Sequence, residues 1–369
     1  MTRGGRTLIA MILLCTSGAC SEDAKVPDPT CAGAAPYAIR GPYSVGVRTL
    51  TRGSTVVEVW YPAVESAVQL EPRASYDLRE WMPAALAAKI APAAPTKFQM
   101  DAVRDAPLLS GSKPLPVVLF SHGLAAYRSQ SSFFTAHLAS WGFVVAAPDH
   151  PERGLARLVQ NQAPVFSRGA ETLRFALGVL AEENAAGGSF AARLELTKIA
   201  VSGHSAGGGT ANAMAAEAVV QTWVAMASGN FQPTPAKPVL LLAGEQDGIV
   251  PPAVVSQGYE ALPAPGRSYR NLRGIGHLAF SDICSIGREQ GGIVQIAVSS
   301  GIVISDFLVT LAQDGCRPSD LLPERAWPAI NHFATAALRS GLGIDPAPLG
   351  LDAAADACFS GLVSEARAD

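Results

Sequence analysis

Charge is scarce in this sequence. Only 16% of the 369 residues are Asp, Glu, Lys or Arg, and the net charge is −3. With no basic excess there is no electrostatic footprint for nucleic acid, so a nucleic-acid partner is not expected. Internal repeats are missing too, which excludes solenoids and propellers. Beyond the N-terminus no apolar run is long enough to span a bilayer. No Cys-x-x-Cys pair and no His/Cys cluster has metal-ligand spacing, so no metal is expected.

Apolar residues, by contrast, make up 49% of the chain. That suffices for a large core and is unlike a disordered chain. The length allows two domains or one α/β domain with insertions. The first 19 residues read as an export signal. Arg3 and Arg6 are followed by the short apolar run Leu8 to Cys15, then by small residues at Ser17 and Ala19 before Cys20. A cut there suits either plain secretion or lipidation of Cys20. Residues 20–35 read as a polar tether, and 36–369 as a single domain. Once Cys15 is discarded and Cys20 carries lipid, Cys31, Cys284, Cys316 and Cys358 remain. An even number in an oxidising compartment suggests two disulfides. Of the three connectivities, Cys284–Cys316 with Cys31–Cys358 is favoured, because the second pair ties the ends of the domain together. Export to the periplasm or beyond, with or without a lipid anchor, is the expected localisation.

The apolar pattern changes along the chain. Val45 to Leu50 and Thr55 to Tyr61 read as a hairpin turning at Arg52-Gly53-Ser54. Residues 64–113 are rich in Ala and Pro and read as an excursion from the sheet, with a helix around Leu78 to Ile90 and a placement over the active site. A parallel α/β rhythm follows. Its strands are Pro116–Phe120, Phe143–Ala147, Lys198–Ser202, Trp223–Ala227, Val239–Ala243 and, last, Arg267–Leu272. Its helices are 129–141, 167–183, 210–218, one long helix over 291–313, and 326–340. Buried strands alternating with helices predict a mostly parallel sheet, with an active site at the strands' carboxyl ends.

The strand Lys198–Ser202 runs into Gly203-His-Ser-Ala-Gly207. A strand that turns at once into a helix strains the residue at the turn and demands small neighbours at −2 and +2. Ser205 Oγ is then lifted clear of the backbone. The Ala206 N–H lies at a helix N-terminus, where an oxyanion can be held. Gly208 and Gly209 read as close helix–sheet packing. A serine nucleophile needs a base, and the base needs a carboxylate to fix its tautomer. Of the six histidines, His277 is the best base, in the glycine-rich loop Gly274-Ile-Gly-His277. His150, at a strand end, is its rival. His122 is assigned to shaping its loop, and His137 and His332 to helices. The acid is Asp247, just past a buried strand, with Glu245 second and Asp149 and Asp282 weaker. Ser205, Asp247 and His277 stand in the chain order of α/β-hydrolase triads. A second oxyanion donor is expected from Ser121-His-Gly-Leu-Ala125, with the Leu124 N–H preferred. Leu124, Tyr127, Phe231, Ile249 and Phe280 are the pocket candidates.

These pieces resemble the α/β-hydrolases of the platelet-activating-factor acetylhydrolase and dienelactone-hydrolase-like group. The resemblance rests on Gly41–Leu50, Val57–Pro62, Pro116–Leu124, Leu138–His150, Gly203–Gly208 and Gly276-His277. It implies cofactor-free hydrolysis of carboxylic esters, with Ser205, Asp247 and His277 as triad and oxyanion donors at Leu124 and Ala206. Dienelactone hydrolases proper use a cysteine where this chain has Ser205, which points away from dienelactone. Bacterial cutinases are similar in the Gly-His-Ser-x-Gly-Gly core, but they carry an aromatic residue where this chain has Leu124.

The resulting expectation is an exported serine esterase acting on short-chain acyl esters. A cutinase-like polyester hydrolase or lipase is the alternative within the same chemistry. A catalytically idle hydrolase fold that only binds is the alternative outside it.

Overall fold

The computed structural model describes Cys31 and residues 33–369. The export signal, most of the tether and Cys20 lie outside the described residues. The chain opens with the hairpin β1 (Ser44–Arg52) and β2 (Thr55–Ala63), whose register turns at Arg52–Thr55. The excursion follows, as α1 (Glu65–Val68), β3 (Ser75–Asp77), α2 (Ala84–Ala87), β4 (Lys97–Gln99) and β5 (Val103–Arg104). The helix expected over 78–90 is not there. Only a 3-10 turn, Leu78–Trp81, and the four residues of α2 form, because Pro83 disfavours helical backbone at the residue before it.

Next come β6 (Leu115–Ser121), α3 (Ser132–Ser140), β7 (Val144–Pro148), α4 (Leu155–Val159), α5 (Gly169–Asn184) and β8 (Leu194–His204). They lead into α6 (Ala206–Met214), β9 (Val220–Met226), β10 (Val239–Gly244), α7 (Pro252–Ala261) and β11 (Arg267–Leu272). The single long helix expected over 291–313 is instead two, α8 (Gly292–Ser299) and α9 (Asp306–Gln313). Gly301 takes φ +64° between them, and Ser305 restarts the helix by accepting the Leu308 N–H. The chain ends with α10 (Pro323–Gly341), α11 (Ala353–Cys358) and β12 (Val363–Ala368).

The ten-stranded sheet has the order β12-β11-β10-β9-β8-β6-β7-β2-β1-β5. Strands β11, β10, β9, β8, β6 and β7 are parallel, and β2 joins β7 antiparallel. β11 is not the last strand. β12 pairs antiparallel along it, and its sequence VSEARA is too polar to have announced itself.

The alternation of each strand fills two cores. On β6, Val118 and Phe120 face the layer of α3 and α10, while Val117 and Leu119 face that of α5, α6 and α7. The tether's last residues do not hang free. Ala35 N donates to Cys31 O and Ala35 is buried. Cys31 is bonded to Cys358, and Cys284 to Cys316. Among the described residues no helix is long and apolar enough to cross a membrane.

Candidate active site

β8 passes into α6 through Ser205, which takes φ +56° and ψ −123°. This backbone is costly for a non-glycine residue, and the glycines on either side are what permit it. A Cβ on Gly203 would run into the Gly207 carbonyl, and one on Gly207 into the Ser121 carbonyl. Gly208 packs closely on Ser228, as read from the sequence, but Gly209 does not, because nothing stands near it. It opens instead onto the cleft that holds Ser205. That cleft has a volume of about 650 Å³ and also takes in Thr210, Asn230, Ile249 and Val254.

Asp247 and His277 leave the ends of β10 and β11 and meet. His277 Nδ1 lies 2.9 Å from Asp247 Oδ2, and both residues are buried. Asp247 Oδ1 is held by the N–H groups of Ile249 (2.9 Å) and Val250 (2.7 Å). With the carboxylate accepting, the His277 proton sits on Nδ1 and the lone pair on Nε2. Among the described residues Nε2 has no hydrogen-bond partner, and no hydrogen bond joins it to Ser205 Oγ. Glu245 turns elsewhere, to the Gly274 N–H at 3.2 Å. His150 spends Nε2 on Ser121 Oγ (2.9 Å) and faces Glu152 with Nδ1 (3.3 Å), so it is committed beneath the site.

The loop after β6 lies against the elbow. Gly123 N is occupied, donating to Gln130 Oε1 at 3.1 Å. The N–H groups of Leu124 and Ala206 donate to no protein acceptor among the described residues. Gln130 Nε2 donates to His204 Nδ1, and His204 Nε2 in turn donates to the His277 carbonyl, each at 3.0 Å. Burial holds the His204 pKa well below its ordinary value. A neutral imidazole therefore ties the Gln130 loop to the His277 loop.

Two residues that the sequence reading missed brace the site. Asp314, buried just past α9, accepts from His277 N at 2.7 Å and from Gly248 N at 3.0 Å. One carboxylate thus spans both the His277 loop and the Asp247 loop. Gly315 beside it takes φ +89° and fits against Gly276, where a Cβ on either would collide with backbone. Arg153 is fully buried and donates to Ser121 Oγ (2.7 Å), His122 O (3.0 Å) and Thr210 Oγ1 (3.0 Å). Its carbonyl accepts the Ala125 N–H at 2.9 Å. Burial lowers its pKa to about 10. The only sequence signal was its place four residues past Asp149, in the strand-end loop read for His150.

Of the pocket candidates, Ile249 lines the Ser205 cleft, and Leu124 lines a neighbouring apolar cavity. Of the other three, Tyr127 and Phe280 belong to the core and Phe231 is half-buried against it. Tyr127 stacks on Trp81 at 4.3 Å, Phe280 is fully buried beside His204, and Phe231 packs edge-on against Trp223. They sit near strand ends, as expected, but their rings serve packing between layers. No group of three or more His, Cys, Asp or Glu among the described residues is arranged to hold a metal.

Residues 35–184 match the sequence model of the family described as platelet-activating factor acetylhydrolase, isoform II. A platelet-activating factor acetylhydrolase from Cavia porcellus is 34% identical over 141 residues, which are 35% of this chain and 32% of that protein. The chain thus spans about a third of the length of the curated relative it matches. A ferulic acid esterase from Streptomyces cinnamoneus superposes with a TM-score of 0.60 at 22% identity, covering 85% of this chain and 94% of the other. The matched segment holds the hairpin and the Leu124 loop but stops before Ser205. By fold the chain is an α/β-hydrolase, and over residues 35–184 it is similar to the platelet-activating factor acetylhydrolase family.

Proposed function

We propose that this chain is an exported serine hydrolase that cleaves short-chain carboxylic esters through an acyl-enzyme. The observation that carries the reading is the buried Asp247–His277 hydrogen bond, which leaves His277 Nε2 unpartnered on the loops beside the strained Ser205 elbow. Ser205 Oγ attacks the ester carbonyl while His277 Nε2 takes its proton, and Asp247 stabilises the resulting imidazolium. The carbonyl oxygen becomes an oxyanion held by the Leu124 and Ala206 N–H groups, each such donor being worth about 3 kcal/mol of the barrier. His277 returns the proton to the departing alcohol. Water, activated by the same nitrogen, then releases the acid and restores Ser205. Two disulfides support an oxidising compartment. The reading includes a cut before Cys20, with plain secretion or lipid on that cysteine, and a single domain from residue 36 onward.

The test is turnover of p-nitrophenyl acetate and butanoate, with a fluorophosphonate to label the nucleophile. Ser205→Ala should abolish both labelling and turnover. A folded Ser205→Ala protein that still hydrolyses the esters would sink the assignment. Folded wild type that neither labels nor turns over would favour an idle binding protein.

A further inference from the structure

The excursion after β2 and the segment after the His277 loop meet around an apolar cavity of about 100 Å³. Leu78 and Ile90 come from the excursion, Ile296 and Ala297 from α8, and Leu308 and Leu311 from α9. Nothing in the mechanism above uses this space. Its wall, however, includes neighbours of the reacting groups. Leu124, a proposed oxyanion donor, and Leu278, next to His277, both line it. Ile249 stands between the two spaces: it lines the Ser205 cleft and packs with Leu124 on the cluster of Leu158, Leu308 and Leu311.

We propose that this cavity binds the acyl chain of the ester, with room for an unsubstituted aliphatic chain of about four carbons, while the alcohol lies in the Ser205 cleft. This rests on the serine-esterase reading and adds the substrate class to it. The two spaces differ in their lining, as an aliphatic acyl chain and a polar alcohol differ. The cavity is small and walled by aliphatic side chains, whereas the cleft is large and carries Ser167, Ser228, Asn230 and Thr210. For scale, a cavity of ~150 Å³ accepts benzene, so about 100 Å³ suits roughly four carbon atoms. A charged or hydroxylated acyl chain would bury polar groups there without partners and be rejected. The excursion is thus one wall of the acyl site and leaves the Ser205 cleft uncovered.

The experiment compares kcat/KM for p-nitrophenyl esters from acetate to octanoate on the whole chain, and then for acetyl esters of varied alcohols. Wild type should gain about fourfold per methylene, the roughly 0.8 kcal/mol of burying one CH2, up to butanoate or pentanoate, and then fall. Ala297→Phe, which fills the cavity, should cut the butanoate-to-acetate ratio at least tenfold. Leu308→Ala, which enlarges it, should move the optimum to hexanoate or beyond. Both are ratios measured on one preparation, so a partly folded variant does not distort them. If both variants turn over esters but keep the wild-type acyl profile, the cavity proposal falls and the esterase reading stands. If they shift the alcohol profile instead, the cavity serves the leaving group and the proposal is equally overturned. If folded wild type hydrolyses no ester in either series, the esterase reading itself has failed.

Discussion

The Ser205 elbow and the His277 loop are both held still, but by opposite means. The elbow is fixed by close backbone contact. Gly203 meets the Gly207 carbonyl inside the turn and Gly207 meets the Ser121 carbonyl at the end of β6, so a Cβ on either would strike backbone. The His277 loop is fixed from far along the chain. Asp314 grips the His277 and Gly248 N–H groups, Gly315 packs on Gly276, and Cys316 is bonded to Cys284. Sterics between adjoining strand ends make the first rigid. For the second, the chain travels through α8 and α9 and returns with a clamp. A rigid site can thus be assembled from one part held by close backbone packing and another held by hydrogen bonds and a disulfide from later in the chain.

The sharpest way to break this comparison is Gly207→Ala. The added Cβ has no room against Ser121 O, so the elbow should open at a cost of about 3 kcal/mol or more. Fluorophosphonate labelling should vanish, with the loss in stability read by denaturant unfolding. Asp314→Ala tests the distant clamp. Two buried N–H groups lose their acceptor, at about 1–3 kcal/mol each. We expect kcat to fall about 10–100-fold with KM changed less than about twofold, since Asp314 faces the loops rather than the cleft. A fall in KM alone, or no effect, would show that the His277 loop holds itself.

The two disulfides sharpen the contrast. Removing Cys284–Cys316, which closes 32 residues, should cost about 4 kcal/mol in the chain-entropy account and lower kcat several-fold, because it anchors the clamp. Removing Cys31–Cys358, separated by 327 residues, should lower the melting temperature yet leave kcat in place. The smallest effect concerns pH. Burial lifts the Asp282 carboxyl to about 7, against the bonds from Ser132, Phe133 and Tyr76 that pull it down. Between about pH 4 and 7 the folded protein keeps a proton that the unfolded chain has lost, so stability should fall as pH rises through that window. Asp282→Asn should flatten this slope in a pH series of unfolding curves.

What the sequence revealed follows the same division. The elbow was legible because its cause is local, Gly203 and Gly207 around Ser205. The parallel strands were legible because strands buried on both faces read as apolar runs. Asp247 was preferred to Glu245, and the structure pairs His277 with Asp247. Asp314 and Arg153 were not legible, since an aspartate after a helix and an arginine in a loop acquire roles only when remote backbone arrives. β12 was missed because a polar edge strand carries no alternation. Tyr127, Phe231 and Phe280 were misjudged as pocket residues because nearness to a strand end does not say to which side a ring turns.

The pairing of β12 with β11, and the bond from Cys358 back to Cys31, bear on how such a chain is made. The sheet's β11 edge stays open, and the staple has no second half, until the residues around 358–368 have been synthesised. A growing chain therefore completes this edge and this staple last. Such a delay fits the proposed export, in which the chain would cross a membrane before it becomes compact. The final strand acts as a latch on the order of events as well as on the finished sheet.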